Sequence, residues 1–493
     1  MATDKTLAQL GLAATSGQEA RITGLSVDSR FVREGHLFAA LPGTRVHGAE
    51  FVQYAVRMGA AAILTDAEGA SIAADALAGS SAALVVTEDP RGALAGAAAL
   101  WFGAQPETVV AVTGTNGKTS VASFARQIWQ ALGEPAVNLG TTGVEGDWEA
   151  PLAHTTPEPI TLHRTLAEAT AAGITHAAME ASSHGLAQRR LDGVRLAAAG
   201  FTNITQDHLD YHAGFDDYFA AKARLFTRVL GDEGVAVVNT DGANGPRMAD
   251  VAEEAGHEVI RVGRSENCQI RLMGLRFEPT GQEMRFAWNG ATHQARLPLI
   301  GGFQAENVLV AAGLVIGAGA DPEEVFATLP RLAGVRGRMQ LAATRENGAA
   351  VFVDYAHTPD ALATALQALR PHVMGRIVCV FGAGGDRDRG KRPLMGQAVA
   401  EHAESAIVTD DNPRSEDPAL IRAEVLAGCP EASEVGDRAE AILRGVDALG
   451  PGDALLIAGK GHETGQVVGD VTYPFDDAEQ ASVAVAALDG RVS

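Results

Sequence analysis

The residues best equipped for chemistry stand in one run, Thr113-Gly114-Thr115-Asn116-Gly117-Lys118-Thr119-Ser120, behind the apolar stretch Val109-Val110-Ala111-Val112. Together they could grip a nucleoside triphosphate. Gly114 and Gly117 let the backbone turn tightly and approach an anion with no Cβ in the way. Main-chain amides and the start of a helix then face the phosphate oxygens. Lys118 can reach the β- and γ-phosphates, and the Thr119 hydroxyl can ligate Mg²⁺. The usual formula places another glycine five residues before Gly117. Here that position is Val112, so the tight part of the loop is shorter than usual.

Five further clusters carry reactive groups. Glu180, in Met179-Glu180-Ala181-Ser182-Ser183-His184, ends an apolar stretch, where a carboxylate could hold Mg²⁺ or merely face solvent. Asp207-His208-Leu209-Asp210-Tyr211-His212 gathers two His and two Asp without any zinc spacing, so a single His208 contact to Mg²⁺ is the simplest functional use. In Tyr218-Phe219-Ala220-Ala221-Lys222-Ala223-Arg224-Leu225, helical spacing puts Lys222 on the face of Tyr218 and Leu225. Such a lysine either snorkels to water or reacts as a buried amine. Finally, Asp411-Asn412-Pro413-Arg414 and Gly459-Lys460-Gly461-His462-Glu463 each follow an apolar run. They offer a guanidinium fork for a carboxylate and an acid for an ammonium group.

These groups need a scaffold that brings distant loops to one edge. Strands are expected at 109–113, 177–180, 198–202 and 235–239, with amphipathic helices between several of them. One such helix carries Val121, Phe124, Ile128 and Leu132. That alternation predicts a parallel sheet with crossovers. Residues 258–298 read as an antiparallel insert with a turn at Asn289-Gly290. A buried helix is expected at 308–320. A second alternation has strands at 351–353, 377–381, 406–408 and 454–457. Each is followed by a polar or glycine-rich loop, at the strand ends where open α/β sheets bind ligands. Ahead of all this, Val27-Asp28-Ser29-Arg30 and the stretches 37–43, 61–64 and 83–86 read as short strands of a small α/β unit. A helical connector at 91–102 leads from it to the glycine loop. The expected domains are 1–100, 101–334 and 335–493.

Composition narrows the function. The chain of 493 residues has 39 Lys and Arg against 61 Asp and Glu, a net charge of −22. That balance argues against nucleic-acid and anionic-membrane partners. Three cysteines, Cys268, Cys379 and Cys429, fit no disulfide or zinc spacing and suggest a reducing, cytoplasmic setting. The first 30 residues show no signal-peptide pattern.

The short glycine loop resembles those of the Mur ligases and folylpolyglutamate synthetases, which form amide bonds through an acyl phosphate. With Val27-Asp28-Ser29-Arg30 at one end and Gly461-His462-Glu463 at the other, nearly the whole chain resembles the Mur ligases. The resemblance implies an α/β fold of three domains: a small UDP-binding domain, a central P-loop ATPase with a parallel sheet and antiparallel insert, and a Rossmann-like C-terminal domain. It implies that ATP is bound by Gly114, Thr115, Asn116, Gly117, Lys118, Thr119 and Ser120, with Asn307, Arg338 and Asp354. Lys118, Lys222, Glu180 and His208 would be catalytic. Mg²⁺ would be held by Thr119, Glu180, His208 and Lys222, the last as a carbamate. A UDP-muramoyl-dipeptide would lie on Val27, Ser29, Thr44, Arg45, Val46, Thr155, Thr156, Ser182, Gln188 and Arg190. His154 stands where some relatives carry Asn.

Asp-Asn-Pro-Arg resembles the version found in members that add diaminopimelate, whereas lysine-adding members lack this Arg. The amino-acid site would then comprise Arg387, Asp411, Asn412, Pro413, Arg414, Gly459 and Glu463. The implied reaction joins meso-2,6-diaminopimelate to the D-Glu γ-carboxylate of UDP-MurNAc-L-Ala-D-Glu, using ATP, by a monomer that neither inserts in membranes nor binds nucleic acid. A dry site that left Arg414 unpaired would discriminate against lysine by about 3–5 kcal/mol. A folylpolyglutamate-type ligase lacks the domain with Val27-Asp28-Ser29. A transport or remodelling ATPase would not need the acid- and Arg-bearing C-terminal loops.

Overall fold

In the computed structural model, which describes residues 4–17, 20–43, 46–205 and 211–490, the first strands form a parallel sheet. Gly24–Ser26, His36–Ala39, Ala62–Thr65 and Ala83–Val86 pair in sequence order. Leu37, Leu64 and Leu94 belong to one core cluster, and Phe38, Ile63 and Val52 to another. Adjacent strand residues thus face opposite sides. Residues 27–30 are not the expected strand. The strand stops at Ser26, and Asp28 Oδ1 accepts the Arg30 N–H at 2.9 Å, starting the turn Ser29–Phe31. A local Asp cap outcompetes the β preference of Val27.

The chain divides into two compact units, Met1–Val262 with Val310–Pro322, and Gly263–Leu309 with Glu323–Ser493. The division falls inside the helix Gly302–Gly317, which covers most of the helix expected at 308–320. In the first unit, Thr108–Thr113 lies between Leu196–Phe201 and His176–Glu180, all three parallel. Leu230–Asn239 and Glu258–Gly263 continue parallel on one side, and Ala136–Gly140 on the other. Val109, Val110, Ala111 and Val112 are all buried, as expected for a central strand with both faces covered. Strand order reverses at Thr108–Thr113, so its C-terminal end opens a crevice between two neighbours.

The expected insert at 258–298 needs one correction. Glu258–Gly263 is a parallel strand, paired with Leu230–Asn239. Alternation of apolar residues does not encode strand direction, and the helix Gly245–Glu254 supplies the crossover. The remainder is antiparallel as expected: Ile270–Glu278, Gly281–Trp288 and Ala291–Leu297 form a meander in the second unit. Its turn at Asn289 and Gly290 has φ values of 46° and 91°, the hairpin signature.

The rest of the second unit is a six-stranded sheet. Ala350–Asp354, Ala454–Ala458, Ile377–Phe381, Ser405–Val408 and Ser433–Glu434 run parallel, and Gln340–Thr344 pairs antiparallel at one edge. The expected fold class, three α/β sheet systems each with its own core, is the one observed. All three cysteines are free and buried. No described helix is long and apolar enough to cross a membrane.

One buried ion pair locks the loops at the end of this second sheet. Arg438 and Asp477, both fully buried, form a two-pronged pair at 2.7 Å through Nε and Nη2. The same guanidinium donates to the Ala458 carbonyl at 3.0 Å and the Asp410 carbonyl at 3.3 Å. Arg438→Met strands the Asp477 carboxylate in an apolar setting and is expected to cost about 3–5 kcal/mol in urea unfolding. Arg438→Met with Asp477→Leu should recover most of that loss. Equal instability of the single and double variants would contradict this account.

Candidate functional site

The phosphate-type loop sits at the crevice where strand order reverses. Gly114 and Gly117 have φ of 156° and 87°, and Gly117 leads into the helix Lys118–Leu132. The loop is fastened to the neighbouring strand end. Thr115 N donates to the Asn203 carbonyl at 2.8 Å, Asn116 N to Asn203 Oδ1 at 3.0 Å, and Thr202 Oγ1 to the Asn116 carbonyl at 2.6 Å. Thr202 was expected only as the end of a strand, and Asn203 was not singled out from the sequence.

Two ammonium groups meet at one carbonyl. Lys118 Nζ donates to Gly114 O at 2.9 Å, and Lys222 Nζ donates to the same oxygen at 2.7 Å. Lys222 is 1% exposed, so it does not snorkel. Its Nζ lies 4.5 Å from the Tyr218 ring centroid, and the Tyr218 hydroxyl sits 3.1 Å from Thr115 Oγ1. The helix Phe215–Arg224 therefore aims its lysine at the loop.

Glu180 ends the adjacent strand, in register with Val112. It is 2% exposed rather than a surface acid. Oε1 accepts the Thr141 N–H at 2.8 Å, while the Thr141 hydroxyl approaches Oε2 only to 3.4 Å. A buried carboxylate with one lightly used oxygen fits a hard divalent cation. Thr141 was missed because its contact to Glu180 spans 39 residues. Among the described residues, no three His, Cys, Asp or Glu side chains converge as a metal group by themselves. His208 lies outside the described residues, as do Thr44 and Arg45.

From Glu180 a chain of hydrogen bonds leads to a cavity. Thr156 Oγ1 donates to the Glu180 carbonyl at 2.9 Å and accepts the Ser182 N–H at 3.0 Å. Arg190 Nη1 donates to the Thr156 carbonyl at 2.5 Å, and its Nη2 to Gln188 Oε1 at 2.8 Å. The cavity, of about 90 Å³, is lined by Val27, Leu41, Arg91, Leu94, Glu158, Pro159, Gln188 and Arg190. Of the residues expected to hold a UDP-muramoyl-dipeptide, it collects Val27, Gln188 and Arg190. Thr155 reaches Thr141 instead, hydroxyl to hydroxyl at 3.0 Å, and Ser182 caps the short helix Ser183–Ala187. Ser29 is buried in its own turn and Val46 is 49% exposed; neither lines the cavity. His154 is exposed. Arg91, missed from sequence, is close enough to add to burial in pushing the Arg190 guanidinium below its ordinary value.

The second unit carries the remaining expected residues. Asn412 is the centre of a buried polar knot. Its Oδ1 accepts from Lys460 Nζ at 2.8 Å and Val467 N at 2.9 Å, while Nδ2 donates to Glu463 Oε2 at 2.9 Å. The amide orientation follows, because a flip would set NH₂ against two donors. Asn412 therefore positions Glu463 with an amide already committed. Lys460, fully buried, lies 3.9 Å from Asp411 and 3.4 Å from Glu463. Burial holds its amine below the ordinary lysine range, against the pull of Asp411. Gly459 has φ 119°, and a Cβ there would overlap Asp411 Oδ2.

Pro413 is buried, whereas Arg387 is exposed and donates to the Asp386 carbonyl at 3.2 Å. Arg414 is half-buried and donates to the Gly385 carbonyl at 2.8 Å. The full penalty for a buried unpaired guanidinium thus does not apply, and discrimination through Arg414 should fall below the dry-site value.

Asp354 accepts the Met339 N–H at 2.7 Å and the Ala356 N–H at 2.8 Å, and burial pushes its carboxyl above the ordinary range. Arg338 lies over the Tyr355 ring at 4.9 Å. Asn307 donates to Gln304 Oε1 at 3.1 Å.

Comparison with known proteins places this architecture. Family models match in order along the chain: the Mur ligase family catalytic domain at 21–101, the Mur ligase middle domain at 112–315, and the Mur ligase glutamate ligase domain at 337–461. The chain belongs to the Mur ligase family. It is 50% identical over 469 residues to the UDP-N-acetylmuramoyl-L-alanyl-D-glutamate–2,6-diaminopimelate ligase of Bradyrhizobium diazoefficiens, covering 94% of this chain and 95% of the relative. The enzyme of that name from Caulobacter vibrioides is 50% identical over 475 residues, covering 95% and 96%. A solved structure of a ligase with this name superposes with TM-score 0.75 at 33% identity, covering 99% of each chain. A folylpolyglutamate synthase from Mycobacterium tuberculosis shares the fold at TM-score 0.59 and 20% identity, over 75% of this chain and 92% of that one.

Gly140→Ala tests the placement of Glu180, because its Cβ would overlap Glu180 Oε1 where the backbone itself tolerates Ala. Stability should fall by about 1–3 kcal/mol, as for an overpacked buried site, with the fold retained. Mg²⁺-dependent ATP affinity by calorimetry should fall about tenfold, the scale of a displaced buried group. Undiminished affinity would separate Glu180 from the metal.

Proposed function

We propose that this chain is an ATP-dependent acid–amino-acid ligase that adds meso-2,6-diaminopimelate to the D-Glu γ-carboxylate of UDP-MurNAc-L-Ala-D-Glu, a step of cytoplasmic peptidoglycan precursor synthesis. The observation that carries this reading is the meeting of the Lys118 and Lys222 ammonium groups at the Gly114 carbonyl, one strand away from buried Glu180. The three functional domains of this reading are 1–100, 101–334 and 335–493.

A γ-carboxylate oxygen of D-Glu attacks the terminal phosphorus of ATP, and the bond to ADP breaks. Residues 114–120 hold the phosphates, and Lys118 with the loop amides disperses charge on the transferring group. Thr119, Glu180, His208 and a carbamylated Lys222 would hold Mg²⁺, whose charge would offset that of the phosphates. The amine of diaminopimelate then attacks the acyl carbon, phosphate leaves, and the amine sheds a proton. Val27, Gln188 and Arg190, with Arg91, hold the UDP-muramoyl-dipeptide. Arg414 and Arg387 take the distal carboxylate of diaminopimelate, while Asp411 and Glu463 take its ammonium. Amide formation requires amine and acyl phosphate to meet, so turnover depends on closure that excludes water.

Carbamylation of Lys222 is consistent with its bond to Gly114. The neutral amine adds CO₂ and loses a proton. The carbamate nitrogen keeps one N–H for the Gly114 carbonyl, while the charge changes from positive to negative. The two parts of this reading are tested together. With ATP, Mg²⁺ and UDP-MurNAc-L-Ala-D-Glu, phosphate release should require an amino acid and be about tenfold to a hundredfold more efficient with diaminopimelate than with lysine. Arg414→Ala should raise KM for diaminopimelate by about tenfold to a hundredfold. Lys222→Ala should cripple turnover, keep its melting temperature, and lose a carbamate carbon signal seen after ¹³C-bicarbonate labelling. Equal use of lysine by the unaltered protein contradicts the Arg414 assignment, and an active Lys222→Ala removes that lysine from the mechanism.

A further inference from the structure

Arg414 adopts φ 51°, a left-handed conformation that residues other than glycine seldom take. Non-glycine residues stay in that region when their surroundings over-determine it, and such places cluster at functional sites. Here the loop at Gly385 and Asp386 holds the side chain of Arg414 and its neighbours Asn412 and Ser415, while the main chain of Arg414 itself meets a hairpin, Gly465–Val468 paired with Val471–Pro474. Val467 O accepts the Arg414 N–H at 3.1 Å, and Gly469 N donates to the Arg414 carbonyl at 2.7 Å. Both main-chain groups of Arg414 are thereby fixed by the hairpin. Two more bonds anchor the residues just before it. Val467 N reaches Asn412 Oδ1 at 2.9 Å, and Gln466 Nε2 reaches the Asp411 carbonyl at 2.7 Å.

The hairpin has little apolar reason to lie where it does. Val468, Val471 and Tyr473 on it are exposed. A two-stranded hairpin is marginal without a face to bury. The polar bonds to residues 411–414 are therefore a substantial part of what holds it, and they in turn hold Arg414.

We propose that residues 465–474 are a specificity clamp and that Gln466 is its positioning side chain, fixing the left-handed turn that aims Arg414. This rests on the reading of residues 411–414 and 463 as the amino-acid site. Gln466 itself need not touch the amino acid. It acts by donating to a main-chain carbonyl, so donor character matters more than shape.

The test uses the full chain and three variants: Gln466→Ala, Gln466→Glu and Gln466→Lys. Glutamate is nearly isosteric but puts a carboxylate against the Asp411 carbonyl, whereas lysine keeps a donor. Gln466→Ala and Gln466→Glu should raise KM for diaminopimelate about fivefold to tenfold, the scale of one lost hydrogen bond. Their kcat, and their KM for ATP and UDP-MurNAc-L-Ala-D-Glu, should stay within about twofold, and the preference for diaminopimelate over lysine should shrink. Gln466→Lys should stay near the unaltered protein. Unchanged KM in both Gln466→Ala and Gln466→Glu overturns the clamp. So does a uniform loss across kcat and all three KM values, which marks a general structural role. An unaltered protein that ignores diaminopimelate overturns the underlying site reading instead.

Discussion

Two lysine ammonium groups share the Gly114 carbonyl, and the arrangement of the first unit follows from that constraint. With bonds of 2.7 and 2.9 Å to one oxygen, the two nitrogens are no more than about 5.6 Å apart. At an effective dielectric near 20 their repulsion is about 3 kcal/mol or more. On the proposed reading, a polyphosphate at the loop would offset it, and so would conversion of Lys222 to an anion. The crevice exists because strand order reverses at Thr108–Thr113, which leaves both flanking strand ends to fasten the loop and to present Glu180.

The second unit solves a different problem. A zwitterion with an extra carboxylate needs both signs of charge on one surface. On the proposed reading Asp411, Glu463, Lys460, Arg387 and Arg414 would supply them, and Asn412 keeps Lys460 and Glu463 at fixed spacing. Several of these groups act by holding others. Arg438 and Asp477 fix the loop ends from beneath, and Arg392, fully buried, ties Gly384 to Glu416 across the loops that bear Arg387 and Arg414.

What the sequence revealed, and what it hid, follows from distance along the chain. The glycine loop was legible because its groups are adjacent and its glycines answer a backbone requirement. The buried strands around it were legible because both their faces are apolar. Val27-Asp28-Ser29-Arg30 was misread because a capping Asp and a β-branched neighbour pull in opposite directions, and the cap won. Residues 258–263 were placed in the wrong kind of pairing because alternation is blind to strand direction. Thr141, Arg91 and the hairpin at 465–474 were invisible, since each acts on a residue tens of positions away. The bonds of the Asn412 amide to Lys460, Glu463 and Val467 were hidden for the same reason, because they join loops about fifty residues apart.

The central claim is that a carboxylate is phosphorylated on this chain before the amide forms. Oxygen transfer tests it most directly. UDP-MurNAc-L-Ala-D-Glu labelled with ¹⁸O in the γ-carboxylate is turned over with ATP, Mg²⁺ and diaminopimelate, and the released phosphate is read by ³¹P NMR. The account predicts one ¹⁸O atom in each phosphate. Phosphate free of label would mean that ATP cleavage and amide formation are not joined through an acyl phosphate, and would contradict the account.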